Sequence, residues 1–176
     1  SFKLSRLTDY VLKVTDRIWY ISQKEYEESN FKSKSIFLPP PINSEFLKQS
    51  LDNQTILFIG SLFMANNTQG LDWFLENIHP KLISQYPTYK FIIAGSSGDV
   101  NKAYLEKKYG QISRVQFLMN QVQLEEVYNK ATVFINPMFF GSGVKLKSIN
   151  ALVNGLLLVS TKVGTEGIGL TKNKMY

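Results

Sequence analysis

Five short apolar runs constrain this chain more than any other feature: Ile56-Leu57-Phe58-Ile59, Phe91-Ile92-Ile93-Ala94, Val115-Gln116-Phe117-Leu118, Val133-Phe134-Ile135 and Leu156-Leu157-Leu158-Val159. They are continuous rather than alternating, so each reads as a strand buried on both faces. Helical spacing fills the gaps between them. Leu71, Phe74, Leu75 and Ile78 form one such segment, which Pro80 restarts or kinks; residues 103–109, stopped by Gly110, and 124–131 form two more; Leu146, Ile149, Leu152 and Val153 form the last. Strands alternating with helices predict an α/β domain, a doubly wound parallel sheet with right-handed crossovers. Ligands of such sheets bind at the carboxyl ends of the strands. The loops expected there are residues 60–70, 95–100, 119–123 and 137–144, and the first two begin with Gly directly after a strand.

The last of these loops carries the chemistry. Pro137-Met138-Phe139-Phe140-Gly141-Ser142-Gly143-Val144 feeds straight into a helix. A helix start presents unpaired N–H groups and a partial positive charge, which together favour an anion. Lys145 and Lys147 lie in the first turns, where a cation opposes the helix dipole by about 0.3–1 kcal/mol. A local rule broken at one spot marks function, and a bound phosphate reverses the sign of that cost. On the bland reading both lysines are solvated and the glycines only make a turn, because a short Gly-containing loop is weak evidence by itself.

Upstream, Leu4, Leu7, Tyr10 (or Val11) and Val14 are helically spaced, and Asp16 ends the pattern. Arg17-Ile18-Trp19-Tyr20-Ile21 is a short β-rich run. Ser22 caps a helix over residues 23–28, with Glu25 three residues on as in a capping box. Ile36-Phe37-Leu38 is a short strand stopped by Pro39-Pro40-Pro41. Three prolines make a stiff extended segment, which predicts a boundary between residues 1–40 and a domain over residues 41–176. The chain opens without Met and closes on a polar tail, so it is read as truncated at both ends.

Composition excludes several function classes. With no Cys and one His, a zinc site or thiolate chemistry is excluded in practice. His79, before Pro80, is expected at the surface or a helix end. The net charge of +6, from 20 basic against 14 acidic residues, favours anionic partners. The lysines are dispersed, so no nucleic-acid partner is expected. No apolar stretch is long enough to span a bilayer. Trp19, Trp73 and Phe74 read as packing residues, whereas Phe139 and Phe140 lie on a loop and stay open between packing and ligand contact.

Taken together, these residues resemble the C-terminal half of a GT-B glycosyltransferase of the retaining family-four, or group 1, type. Ile59-Gly60-Ser61-Leu62 followed by Gly70-Leu71-Asp72-Trp73-Phe74-Leu75 is similar to that family's first strand and helix. Pro80-Lys81-Leu82, Tyr86-Pro87 and Ile92-Ile93-Ala94-Gly95 resemble its second unit; Val122, Glu126, Tyr128 and Ala131, followed by the Val133 run, resemble its fourth. Gly141-Ser142-Gly143-Val144-Lys145-Leu146-Lys147, Asn150-Ala151, Gly155, Val159-Ser160-Thr161 and Glu166-Gly167-Ile168 resemble its signature region. Residues 16–22 are similar to the last strand of the family's N-terminal domain.

The resemblance implies a Rossmann-like domain that holds a nucleotide-sugar donor, behind a remnant of the N-terminal domain. Carried over residue by residue, Gly60 and Ser61 border the pyrophosphate, and Val122 meets the base through its backbone. Ser142, Gly143 and Val144 approach the phosphates, and Lys145 pairs their charge. The resemblance implies no metal and no cofactor beyond the donor itself. It also implies a glycan or lipid-linked acceptor in polysaccharide synthesis, held mostly by the N-terminal half. The expected place is the cytoplasm, with peripheral contact at the inner membrane face. No catalytic residue is assigned.

One departure stands out. The family carries two Glu residues eight positions apart, and the matching positions are Ser142 and Asn150. The second Glu of the family accepts hydrogen bonds from the ribose hydroxyls. Asn150 offers an uncharged oxygen, and charge-assisted bonds are roughly twice as strong. A catalytically impaired partner or regulatory subunit is therefore the alternative to an active transferase. A third reading, a dehydrogenase or sugar-phosphate epimerase, needs Gly-x-Gly-x-x-Gly after the first strand. The chain has only Gly60 and then Gly70 there.

Overall fold

The computed structural model describes residues 2–41 and 54–169. The chain divides into two compact units, residues 1–41 and 42–176. The smaller contains helix α1 (Phe2–Val14), strand β1 (Ile18–Tyr20), helix α2 (Gln23–Glu28) and strand β2 (Ser35–Phe37). The two strands pair in parallel, with Ile18 opposite Ser35. The Ser22 hydroxyl accepts the Glu25 N–H at 3.3 Å and so caps α2 as its spacing predicts. Trp19 is not a packing residue within the described chain: it is 64% exposed, on the outward side of a three-residue strand.

The larger unit is built on one all-parallel sheet. Its strands are β3 (Thr55–Ile59), β4 (Lys90–Gly95), β5 (Val115–Met119), β6 (Val133–Asn136) and β7 (Leu157–Ser160), in the order β5-β4-β3-β6-β7. The helices between them are α3 (Ala65–Asn77), α4 (His79–Gln85), α5 (Lys102–Tyr109), α6 (Leu124–Tyr128) and α7 (Leu146–Val153). This is the expected doubly wound fold. Alternate residues of one strand feed opposite layers. Leu57 and Ile59 pack with Val127, Tyr128 and Ala151 of α6 and α7. Phe58 packs with Leu71, Phe74, Leu105 and Tyr109 of α3 and α5. Burying each such side chain stabilises the fold by roughly 1.5–3 kcal/mol.

Burial on both faces holds for the central strands and fails at both edges, at β5, where Gln116 is exposed and the other residues are only partly buried, and at β7. Leu158 packs on the α6–α7 layer, but Leu157 and Val159 are each 60% exposed. An edge strand has a neighbour on one side only, and among the described residues no helix covers its second face. Two helix bounds also differ from expectation. The first helix begins at Ala65 rather than after Gly70, so the loop leaving β3 is short. Asn and Gly are poor helix formers, but tertiary contacts hold this turn: Asn67 is buried, and a Cβ on Gly70 would lie 2.2 Å from the Pro137 oxygen. At the other bound, α6 stops at Tyr128 and the chain continues in turns to Ala131. Pro80 does restart a helix, at the first turn of α4. The polar tail, residues 170–176, lies outside the described residues.

His79 sits at a helix end as expected, but it is 3% exposed rather than at the surface. Its Nε2 is 2.9 Å from the Ser113 carbonyl, which can only accept, so Nε2 carries the proton. Nδ1 then accepts from the Tyr89 hydroxyl at 3.0 Å. Burial holds His79 below its ordinary value and raises that of Tyr89, which stays a donor. A base held neutral in the fold and free to protonate in the unfolded chain loses stability as pH falls below about 6.5. The melting temperature should therefore drop between pH 7.5 and pH 5, and the drop should shrink in His79→Gln. Equal drops in both proteins would remove His79 as the cause.

Candidate functional site

The strand order reverses between β3 and β6, so the crevice outside their carboxyl ends is the expected ligand position. A cavity of about 340 Å³ lies at this end of the sheet. Gly60 and Ser61 line it from β3, Gly95 and Ser96 from β4, Asn120 after β5, Asn67 from α3 and Lys147 from α7. Glycines allow the strand ends to close up: a Cβ on Gly95 would lie 2.1 Å from the Gly60 oxygen. Asn120, at φ 55°, turns its side-chain oxygen to accept the Ser97 N–H at 2.9 Å. A larger hollow of about 660 Å³ lies at the opposite, amino end of the strands, lined by Thr55, Lys90 and Arg114 among others. It holds none of the residues expected to bind the donor, and the strand-end chemistry lies in the smaller cavity.

The two lysines part company. The Lys147 ammonium donates to Asn67 Oδ1 at 2.5 Å and lies 5.2 Å from the centre of the Phe58 ring. Burial, and then the charge of Lys145, push Lys147 down to about 8. Among the described residues no carboxylate pairs with it. Lys145 instead occupies the N-cap position of α7, without a capping hydrogen bond from its side chain, and is 5% exposed. Its ammonium donates to the carbonyls of Gly143, at 2.7 Å, and Gly141, at 3.3 Å, and lies 3.7 Å from Glu166 Oε2.

The remaining predicted residues do not line the cavity. Ser142 is exposed; Gly143 takes φ 79°, with open space where a Cβ would stand. Val144 packs against Gly167, whose Cβ position is 3.1 Å from Val144 Cγ2. Val122 is 96% exposed between β5 and α6. Asn150 is exposed on α7, with its side-chain amide beside the Tyr128 hydroxyl. Burial pushes Tyr128 up to about 12, so it remains a hydroxyl. Phe139 packs edge-on against Trp73, with ring centres 5.4 Å apart, and both rings stay partly exposed.

Sequence reasoning missed two groups. Asn67 orients Lys147 and also donates to the Ser61 carbonyl at 3.0 Å. Its only signal is an Asn pair opening a helix. Asn136 and Ser148 are fully buried and share the Gly164 carbonyl, at 3.0 and 2.7 Å. Asn136 also donates to Ser148 Oγ at 2.8 Å. This network fastens the segment after β7 to the start of α7. A polar residue ending an apolar strand was its trace in the sequence.

Residues 53–174 match the family described as Glycosyl transferases, group 1. The chain belongs to that family. This group 1 glycosyltransferase chain is 37% identical over 162 residues to an uncharacterized 44.6 kDa protein in the cps region of Klebsiella pneumoniae, covering 88% of the chain and 41% of that protein. Among solved structures, TarM of S. aureus, crystallised in a complex with UDP, superposes with a TM-score of 0.68 at 10% identity, over 90% of the chain and 33% of TarM. HepE of Anabaena, in complex with UDP and glucose, gives 0.66 at 12%, over 91% of the chain and 47% of HepE. WaaG, a glycosyltransferase involved in lipopolysaccharide biosynthesis, gives 0.60 at 18%, over 87% of the chain and 45% of WaaG. These likenesses show the fold, the Rossmann-like half of a GT-B glycosyltransferase. The group 1 glycosyltransferase chain spans less than half the length of each of these relatives.

Proposed function

We propose that this chain is the donor-binding half of a retaining, nucleotide-sugar-dependent glycosyltransferase that acts on a glycan or lipid-linked acceptor in the synthesis of a surface polysaccharide. One observation carries the reading. A partly buried ammonium, Lys147, stands at the topological switch of the sheet without an anionic partner among the described residues. An uncompensated buried cation is costly, and a diphosphate supplies the missing charge. TarM and HepE were both crystallised with UDP, which makes UDP the first ligand to try. Lys147 would stabilise the charge that develops on the departing diphosphate, while Gly60 and Ser61 admit it closely. The reading places transfer in the cytoplasm, at the inner membrane face, and routes no step through a metal.

Titrating the chain with UDP, GDP and ADP while following thermal stability tests this. Ligand at about 100 times its Kd should add about 2.7 kcal/mol of stability. No stabilisation by any of the three, well above millimolar concentration, counts against the proposal.

Asn150 supports the second reading, a partner subunit without activity of its own. Its side chain lies beside the Tyr128 hydroxyl, and it offers a ribose no charge. Asn150→Glu should tighten UDP binding about tenfold if the cavity takes a nucleotide, since charge-assisted bonds exceed neutral ones by roughly 1 kcal/mol or more. Sugar transfer by the full-length protein should rise with it. Tighter binding with no transfer in either protein would favour the non-catalytic role.

A further inference from the structure

We infer that Lys145 is a positioning residue that locks the Gly-rich loop, and that the diphosphate contact from this helix falls to Lys147 alone. The inference rests on the donor-binding reading. An ammonium has three N–H donors. Those of Lys145 face three acceptors: the Gly143 carbonyl, the Gly141 carbonyl and Glu166 Oε2. Two N–H groups are taken by the carbonyls, and the third lies toward a carboxylate 3.7 Å away in a side chain that is 5% exposed, so a phosphate oxygen would have to displace Glu166 to reach it. The two carbonyls belong to residues with φ of 127° and 79°. Their left-handed backbone turns both oxygens inward, and the ammonium holds them there.

Glu166 is itself held in place. The segment before it is fixed by Gly164, whose carbonyl accepts from Asn136 and Ser148 and whose N–H donates to Thr161 Oγ1 at 3.1 Å. Gly167, just after Glu166, packs on Val144. Lys145 therefore ties the Gly-rich loop to a segment already anchored on β6 and α7. Lys147 stands two residues on, inside the first turn of α7, whereas Lys145 precedes the helix with φ −91° and ψ 77°. One of the two side chains can face the loop and the other the cavity, and the structure gives the cavity to Lys147.

Calorimetry with UDP and with inorganic pyrophosphate on the full chain decides the matter, using Lys145→Met, Glu166→Gln and the double variant. Each single change should weaken binding about three- to tenfold, and the double variant should be no weaker than either, because the pair acts as one unit. A phosphate-contacting Lys145 gives the opposite sign: Glu166→Gln removes a competing carboxylate and tightens binding. That result overturns the inference. Hydrogen exchange supplies a reading independent of any ligand. Amides 139–146 should exchange faster in both single variants, with amides 60–67 unchanged. Unaltered exchange at 139–146 also overturns the inference, even if no nucleotide binds, so its failure is separable from that of the donor-binding reading.

Discussion

Lys147→Met should weaken UDP binding about 10- to 150-fold, the worth of one charge-assisted contact, and at the same time raise the melting temperature. The two effects share a cause. The Lys147 ammonium is partly buried, has a second ammonium nearby, and has a neutral oxygen from Asn67 as its hydrogen-bond acceptor. Replacing a partly buried, unpaired ammonium by an apolar side chain of similar length removes its desolvation cost, roughly 1–3 kcal/mol. In a chain of this size each kcal/mol shifts the midpoint by roughly 2–4 °C. Calorimetry with UDP and a thermal melt of the same sample read both effects.

The pH dependence follows with a fixed sign. Lys147 is pushed down to about 8 in the fold, against about 10.4 in an unfolded chain. Between those values the unfolded chain binds the extra proton, so this group adds stability to the ligand-free fold as pH rises. UDP needs the charged form, so affinity should fall above about pH 8, by at most about tenfold per pH unit. Rising stability with falling affinity is the signature, and Lys147→Met should lose both slopes. A variant that binds UDP as tightly as the natural chain would remove Lys147 from the site.

The second large effect concerns a glycine. Gly95→Ala should cost about 3 kcal/mol or more, at the upper end of overpacking changes, and reduce UDP binding as well. The added methyl would lie 2.1 Å from the Gly60 oxygen and 2.9 Å from Leu62 Cγ. The first of these is backbone and cannot rotate away. It is held by the bonds that zip β3 to β4 beyond the sheet, Gly60 N–H to the Ala94 carbonyl at 3.1 Å and Leu62 N–H to the Ser96 carbonyl at 2.8 Å. The strand ends must part, and both line the cavity. Gly143→Ala is the contrast: its methyl meets nothing within 4 Å, so only the cost of a left-handed residue remains, about 1–2 kcal/mol. Urea denaturation of both variants, with UDP titrations, compares them. If Gly95→Ala unfolds at the same urea concentration as the natural chain, the close approach of the two strands is wrong.

Much of the fold was legible because burial on both faces writes itself into composition. A strand sandwiched between two helical layers has no polar side to show, and the Ile56, Phe91 and Val133 runs have none. The Ser22 cap was equally legible, since capping is local. The start of α3 was not. Its first turn is Ala-Asn-Asn-Thr, which propensity alone assigns to a loop, and contacts with Ser61, Lys147 and Pro137 decide otherwise.

The candidate site divides along the same line. By itself the sequence determined a parallel sheet with Gly-led loops at its carboxyl ends and two ammonium groups at the start of one helix, because period and spacing are properties of the chain. Only the tertiary structure decided that Lys147 meets the cavity while Lys145 is enclosed by Gly141, Gly143 and Glu166. Lys145 precedes the helix with a non-helical backbone while Lys147 lies in its first turn, and the groups each one meets are supplied by segments far away in sequence.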